Sequence, residues 1–86
     1  MVKISAKLIK NHKTIKSYTY INVNEYCSDN FYEYLVEICR KLDISTPILI
    51  PYYIESFDNF NSVSFKSDDF IDKINFDSLL LENVDR

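Results

Sequence analysis

The sequence predicts an α+β fold, a mixed sheet of four to five strands packed on one main helix. Three observations carry that expectation. Two alternating segments, Val2–Leu8 and Thr14–Val23, open the chain. One amphipathic stretch follows, Asn30–Leu42. Short apolar segments then lead to a closing run, Phe76–Leu81. The 86 residues make a single domain. A chain this short buries only roughly 60–65% of its unfolded surface, so one helix against one sheet uses most of its core.

The first strand rests on Val2, Ile4, Ala6 and Leu8 alternating with Lys3, Ser5 and Lys7. Lys10-Asn11-His12-Lys13 is the expected turn, with Asn11 able to take the left-handed region in place of a glycine. The return strand has two faces. One carries Ile15, Ser17, Thr19, Ile21 and Val23, the other Lys16, Tyr18, Tyr20 and Asn22. The Ile/Val face is expected inside, which leaves Tyr18 and Tyr20 on the outer face near Lys3 or Lys7.

Ser28-Asp29-Asn30 offers helix N-caps, and Asn30 with Glu33 has capping-box spacing. Phe31, Leu35, Ile38 and Leu42 form the buried stripe, flanked by Tyr34 and Cys39. Glu33, Glu37, Arg40 and Lys41 face water, with Glu37 and Lys41 spaced for an i,i+4 pair. Pro47 favours extended backbone before it, and Ile48-Leu49-Ile50 reads as a short buried strand. Pro51 suits the first position of a helical turn, Tyr52–Asp58, that packs Ile54 and Phe57. Asn59–Asn61 is a turn and Val63–Phe65 a short strand. Ser67-Asp68-Asp69 opens another helical turn, with Phe70, Ile71 and Ile74 as its apolar residues. Leu79, Leu80 and Leu81 in succession predict a central strand buried on both faces. Glu82–Arg86 is expected to fray.

Composition excludes several functions. There is no glycine. Phosphate-cradling loops need backbone at positive φ or in close approach to the ligand, so Walker-type and dinucleotide-type loops are ruled out. A di-glycine tail for covalent conjugation is missing too. Seven Tyr and six Phe supply large rings for a small core. Cys27 and Cys39 are the only cysteines. On one helix their separation is about 18 Å, too far for a disulfide. The start Met-Val-Lys-Ile has no apolar signal core, and no run of about 20 apolar residues spans a membrane. Together these predict a reduced, cytoplasmic protein. The net charge of −3 is unevenly spread. Residues 1–16 hold five lysines and no acid, while the remainder holds thirteen acids against five basic residues. Such a bipolar surface steers partners.

The order of hairpin, helix, short strands and closing strand is that of a β-grasp. Phe65-Lys66-Ser67-Asp68-Asp69-Phe70-Ile71 resembles the strand and Ser-Asp-opened turn of ubiquitin-like domains, and Phe76–Glu82 resembles their last strand. A second resemblance is closer in sequence. Leu42-Asp43-Ile44, Pro47-Ile48, Phe57, Phe60, Phe65, Asp69-Phe70-Ile71-Asp72, Ile74, Phe76-Asp77 and Leu79 resemble a family of small uncharacterised bacterial proteins of Gram-positive anaerobes. That resemblance runs from about Lys3 to Glu82 and implies no activity and no site residues.

Few residues suggest chemistry. His12 sits at a hairpin tip, where a general base finds neither pocket nor orienting partner. Cys39 reads as a small buried hydrophobe. Cys27 precedes the helix, where the dipole could activate a thiol, but no histidine is placed to pair with it. Asp68, Asp69, Asp72 and Asp77 carry oxygens suited to hard cations, without the spacing of a calcium loop. Glu33 and Glu37 are a solvated helix face. No catalytic residue, cofactor or metal site is expected. Lys3, Lys7 and Lys16 interleave with Tyr18 and Tyr20, a pattern that single-strand nucleic-acid binders use. A protein partner is favoured over nucleic acid on that face, with Lys3, Lys7, Tyr18 and Tyr20 as its contacts, because tyrosines anchor interfaces. The expected function is a small non-enzymatic protein–protein interaction module. The alternative is a mobile-element-encoded inhibitor or regulator that binds a nucleic-acid enzyme through its acidic face.

Overall fold

The computed structural model describes residues 1–85. Strand β1 (Val2–Lys10) turns into β2 (Lys13–Asn22). A short 3-10 turn, Ser28–Asn30, leads into helix α1 (Phe31–Leu42). Helix α2 (Pro51–Phe60), strand β3 (Ser62–Lys66), a second 3-10 turn (Ser67–Asp69) and strand β4 (Ser78–Asn83) complete the order. The strands form one sheet in the order β2-β1-β4-β3. All three pairings are antiparallel. The fold is therefore α+β, but the sheet is not mixed as the ubiquitin-like resemblance implied, and two helices cover it rather than one.

The core lies between that sheet and the two helices. From β1 it takes Val2, Ile4, Ala6 and Leu8, from β4 Leu79 and Leu81, and from β3 Val63 and Phe65. Helix α1 adds Phe31, Tyr34, Leu35, Ile38, Cys39 and Leu42, all buried, which confirms the expected stripe. Helix α1 lies over β2, where Tyr34 stacks on Tyr20 with ring centroids 5.5 Å apart. Helix α2 lies over β3, where Tyr53 meets Phe65 at 5.0 Å. β4 is central, as its leucines predicted, but it is fully buried on one face only. Leu79 and Leu81 point inward, and Leu80 is half-buried on the other side.

The hairpin corrects the expected register. Lys10 pairs with Lys13 and Ile9 with Thr14, but Leu8 pairs with Lys16. Ile15 is the extra residue of a β-bulge. Because side chains alternate with a period of two, that one residue moves the rest of β2 to the opposite face. Ala6 now pairs with Tyr18 and Ile4 with Tyr20, so both tyrosines sit on the inner face. Ile15 and Ile21 are exposed instead. Tyrosine suits this position physically. The inner face of an edge strand is only half covered, so a ring with a polar tip fits it better than an isoleucine. Lys16 shares the inner side and donates from Nζ to the Leu42 carbonyl oxygen at 2.8 Å. This satisfies a terminal carbonyl of α1 and places a cation at the negative end of its dipole.

Four non-glycine residues take positive φ: Asn11, His12, Asp43 and Asn61. Asn11 and His12 together make the tight two-residue hairpin turn, which needs positive φ at both positions. Asp43 closes α1 and Asn61 closes α2, the places where glycine is usual. His12, at φ 64, gains nothing from a local cap. His12→Gly is therefore expected to raise stability by about 0.5–1 kcal/mol, read as an increase in thermal midpoint.

Further corrections are local. Ile48-Leu49-Ile50 is extended but not a strand. Its backbone links are the Ile48 N–H donating to the Asp69 carbonyl oxygen at 2.7 Å and the Ile50 carbonyl oxygen accepting the Tyr53 N–H at 3.0 Å. The turn expected at Tyr52–Asp58 is a ten-residue helix, with Pro51 in its first turn. Asn30 stands at the N-cap of α1 without a side-chain bond, because the 3-10 turn before it already orders the entry. Glu37 pairs with Arg40 rather than Lys41. The turn from Ser67 is a single 3-10 turn, after which Phe70 is buried and Ile71 exposed. Glu82 and Asn83 belong to β4 rather than to a frayed end, and Arg86 lies outside the described residues.

Candidate interaction surface

Strand alternation builds the surface opposite the helices. When Val2, Ile4, Ala6 and Leu8 point into the core, Lys3, Ser5, Lys7 and Ile9 must point out. The pairings extend each of these into a row. Thr19, Ser5, Glu82 and Ser62 form one row, and Ser17, Lys7, Leu80 and Ser64 the next. Ile21 lies beside Lys3, and Ser78 lies between Ile9 and Lys66. Val84 joins this end through its N–H, which donates to the Lys3 carbonyl oxygen at 3.0 Å. Among the described residues no helix covers the face. Its charges are Lys3, Lys7, Lys66 and Glu82, and Lys7 Nζ lies 3.7 Å from Glu82 Oε1.

The structure therefore splits the predicted contact set. Lys3 and Lys7 share the outer face. Tyr18, Tyr20 and Lys16 do not join them, because the bulge turns these three toward α1. Sequence reasoning missed Ile21, Leu80 and Val84 on this face. Ala6 was the available signal. A small residue between Ile4 and Leu8 leaves room for a ring on the neighbouring strand, which is where Tyr18 lies.

The tyrosines have structural roles. Tyr20, Tyr34, Tyr26, Phe57 and Phe31 form a continuous series of ring contacts with centroids 5.1–5.8 Å apart. The Tyr26 hydroxyl donates to Asp58 Oδ1 at 2.6 Å. Burial, then that bond to a carboxylate, pushes its pKa well above the usual tyrosine range. The Tyr53 hydroxyl donates to Asp69 Oδ1, which raises its pKa mainly through that bond. Asp69 Oδ2 also accepts the Lys66 N–H at 2.8 Å. Asp69 thus ties the start of α2 to the end of β3.

That use removes Asp69 from the predicted acidic cluster. Asp77 Oδ2 is likewise occupied, accepting the Asn11 N–H at 2.8 Å, so it supports the hairpin turn. Asp68 and Asp72 remain exposed. Among the described residues no group of three or more His, Cys, Asp or Glu is arranged to hold a metal ion. Glu37 accepts two bonds from the Arg40 guanidinium, at 2.6 and 3.0 Å, which hold its carboxyl below the usual range. Glu33 is exposed beside it. His12 is exposed at the hairpin tip.

The two cysteines differ sharply. Cys27 is exposed and Cys39 is buried, and both are free. Burial pushes the Cys39 thiol up from its ordinary 9.0 to about 11. The neutral thiol is therefore favoured by folding. Its stabilisation is complete below pH 9 and is lost as pH rises toward 11. By linkage this loss amounts to about 2–3 kcal/mol. Urea midpoints should fall across that window in wild type and fall less in Cys39→Ala. At pH 8, alkylation should label Cys27 and leave Cys39 unmodified until the chain unfolds.

An open cleft of about 410 Å³ lies between the end of α1 and the approach to β4. Asp43, Ile44, Ser45, Lys73, Ile74, Asn75 and Phe76 line it. It contains neither histidine nor cysteine, and Ser45 has no hydrogen-bonded base, so the lining shows no activated nucleophile. Among the described residues no helix is long and apolar enough to cross a membrane. Comparisons of this chain with protein-family models, with curated proteins and with solved structures found no match.

Proposed function

We propose that this chain is a small non-enzymatic protein–protein interaction module that binds through the outer face of its sheet. The carrying observation is that face itself: four strands wide, free of helices, with Ile21 57% exposed next to Lys3. Apolar side chains ringed by hydroxyls and lysines make a surface that a protein partner can dehydrate. The test is affinity capture from native lysate with wild type and with Lys3→Glu/Ile21→Asp, each with and without nuclease. A protein captured by wild type, lost in the variant and unaffected by nuclease is the expected result. Capture that survives this variant and is lost in Asp68→Lys/Asp72→Lys would overturn it. That outcome would favour a regulator acting through its acidic side.

A further inference from the structure

We infer that the outer sheet face docks an acidic polypeptide, an inference that rests on the interaction-module reading and names its partner's chemistry. Three observations lead there. The first is charge segregation. The protein as a whole is acidic, with net charge −3. On the sheet face the strand charges reverse the sign: among the described residues Lys3, Lys7 and Lys66 stand against Glu82, which already pairs with Lys7, while Asp85 at the Lys3 end is paired with the N-terminal ammonium. Lys3 and Lys66 are exposed, and among the described residues their ammonium groups form no ion pair; the Asp69 carboxylate meets only the Lys66 backbone N–H. The exposed carboxylates Glu33, Asp68 and Asp72 lie outside the sheet and repel an acidic partner, so the field directs it to the sheet side.

The second observation concerns hydrogen-bonding capacity. Ser5 and Thr19 stand in the row between Lys3 and Lys7, Ser64 stands in the row of Lys7, and each hydroxyl can donate to a carboxylate oxygen. Lys3 and Lys7 are about 13 Å apart along β1, a spacing that an extended chain with acids four residues apart can match. The third is the face's lack of aromatic rings. The bulge turns Tyr18 and Tyr20 inward, so among the described residues no ring remains on this face on which bases could stack. This favours a polypeptide over a nucleic acid. The same lysines oppose stacking of two copies face to face, because like charges would meet.

The experiment is amide chemical-shift mapping of the full chain at low salt. The probes are poly-L-glutamate and, separately, oligothymidylate of comparable charge. Poly-L-glutamate is expected to shift amides along β1, β4 and β3, and 0.5 M salt should abolish the effect. Lys3→Glu/Lys66→Glu spares the Lys7–Glu82 pair and touches no core residue, so it should keep the wild-type thermal midpoint and bind at least tenfold more weakly. Poly-L-glutamate shifts that avoid the sheet, or no shifts, overturn the inference. Equal or stronger shifts with oligothymidylate overturn it in favour of nucleic acid. A lysate partner that needs Lys3 and Ile21 yet is not displaced by poly-L-glutamate overturns the acidic chemistry alone and leaves the interaction module standing.

Discussion

Phe57→Ala is expected to cost about 3–5 kcal/mol, the usual penalty for emptying a fully buried ring site. A chain of this size has about 4–13 kcal/mol in total, so the variant sits near the edge of folding. The reason is how little anchors α2. Phe57 is its only buried residue, and its ring packs edge-on against Phe31 at 5.1 Å and against Tyr26 at 5.8 Å. Its further ties are the Tyr53 ring on Phe65, Ile54 against the core, the Ser56 hydroxyl donating to the Ser62 carbonyl oxygen, and two phenol–carboxylate bonds, Tyr53 to Asp69 and Tyr26 to Asp58. Each of these hydrogen bonds is worth about 1 kcal/mol net. Urea titration gives the loss, and limited proteolysis within residues 51–60 shows whether α2 detaches first. Phe60, on the same helix but 73% exposed, is the control. Phe60→Ala should stay within about 0.5 kcal/mol of wild type.

The second large effect tests the hairpin register. Tyr20→Ala is expected to lose about 2–3 kcal/mol, since it removes the ring stacked on Tyr34 and uncovers Ile4. Ile21→Ala, one residue further on, should cost about 0.5 kcal/mol or less because Ile21 faces water. Thermal or urea unfolding of the two variants decides the matter. The reverse ranking would mean that the isoleucines of β2 are inside.

What could be read in the sequence follows from how local the controlling physics is. Helix α1 was legible because six inward positions repeat at helical spacing, and burial then follows from periodicity. The hairpin was legible at its turn, where Asn11 takes the positive φ that a glycine-free chain must find somewhere. Its register was not. Alternation specifies two faces but not which is buried, and a single bulged residue, Ile15, exchanges them. The tyrosine half of the predicted contact set fell with that exchange, while Lys3 and Lys7 kept their outward place because β1 has no bulge of its own. Ile48–Ile50 misled for a related reason. A short apolar run flanked by prolines fits a strand, yet here its ends serve other elements: the Ile48 N–H bonds to the Asp69 carbonyl oxygen of a 3-10 turn, and Ile50 caps α2 ahead of Pro51.

That central position of β4 has a kinetic meaning. The β1–β2 hairpin forms from neighbouring residues, and β3 lies beside α2 in sequence, but these two halves share no strand pairing with each other. Within the sheet β4 joins them, and its pairing with β1 links residues as far apart in sequence as Ile4 and Asn83. Closing a loop of that length costs entropy before the buried leucines repay it. Insertion of β4 therefore becomes the event that commits the chain to its native state. A hairpin without it leaves one edge of β1 unpaired and is not stable alone. Unfolding should accordingly be all-or-none. The amides of β1 and β4 would then exchange only through global opening, while those of α2 exchange through local release.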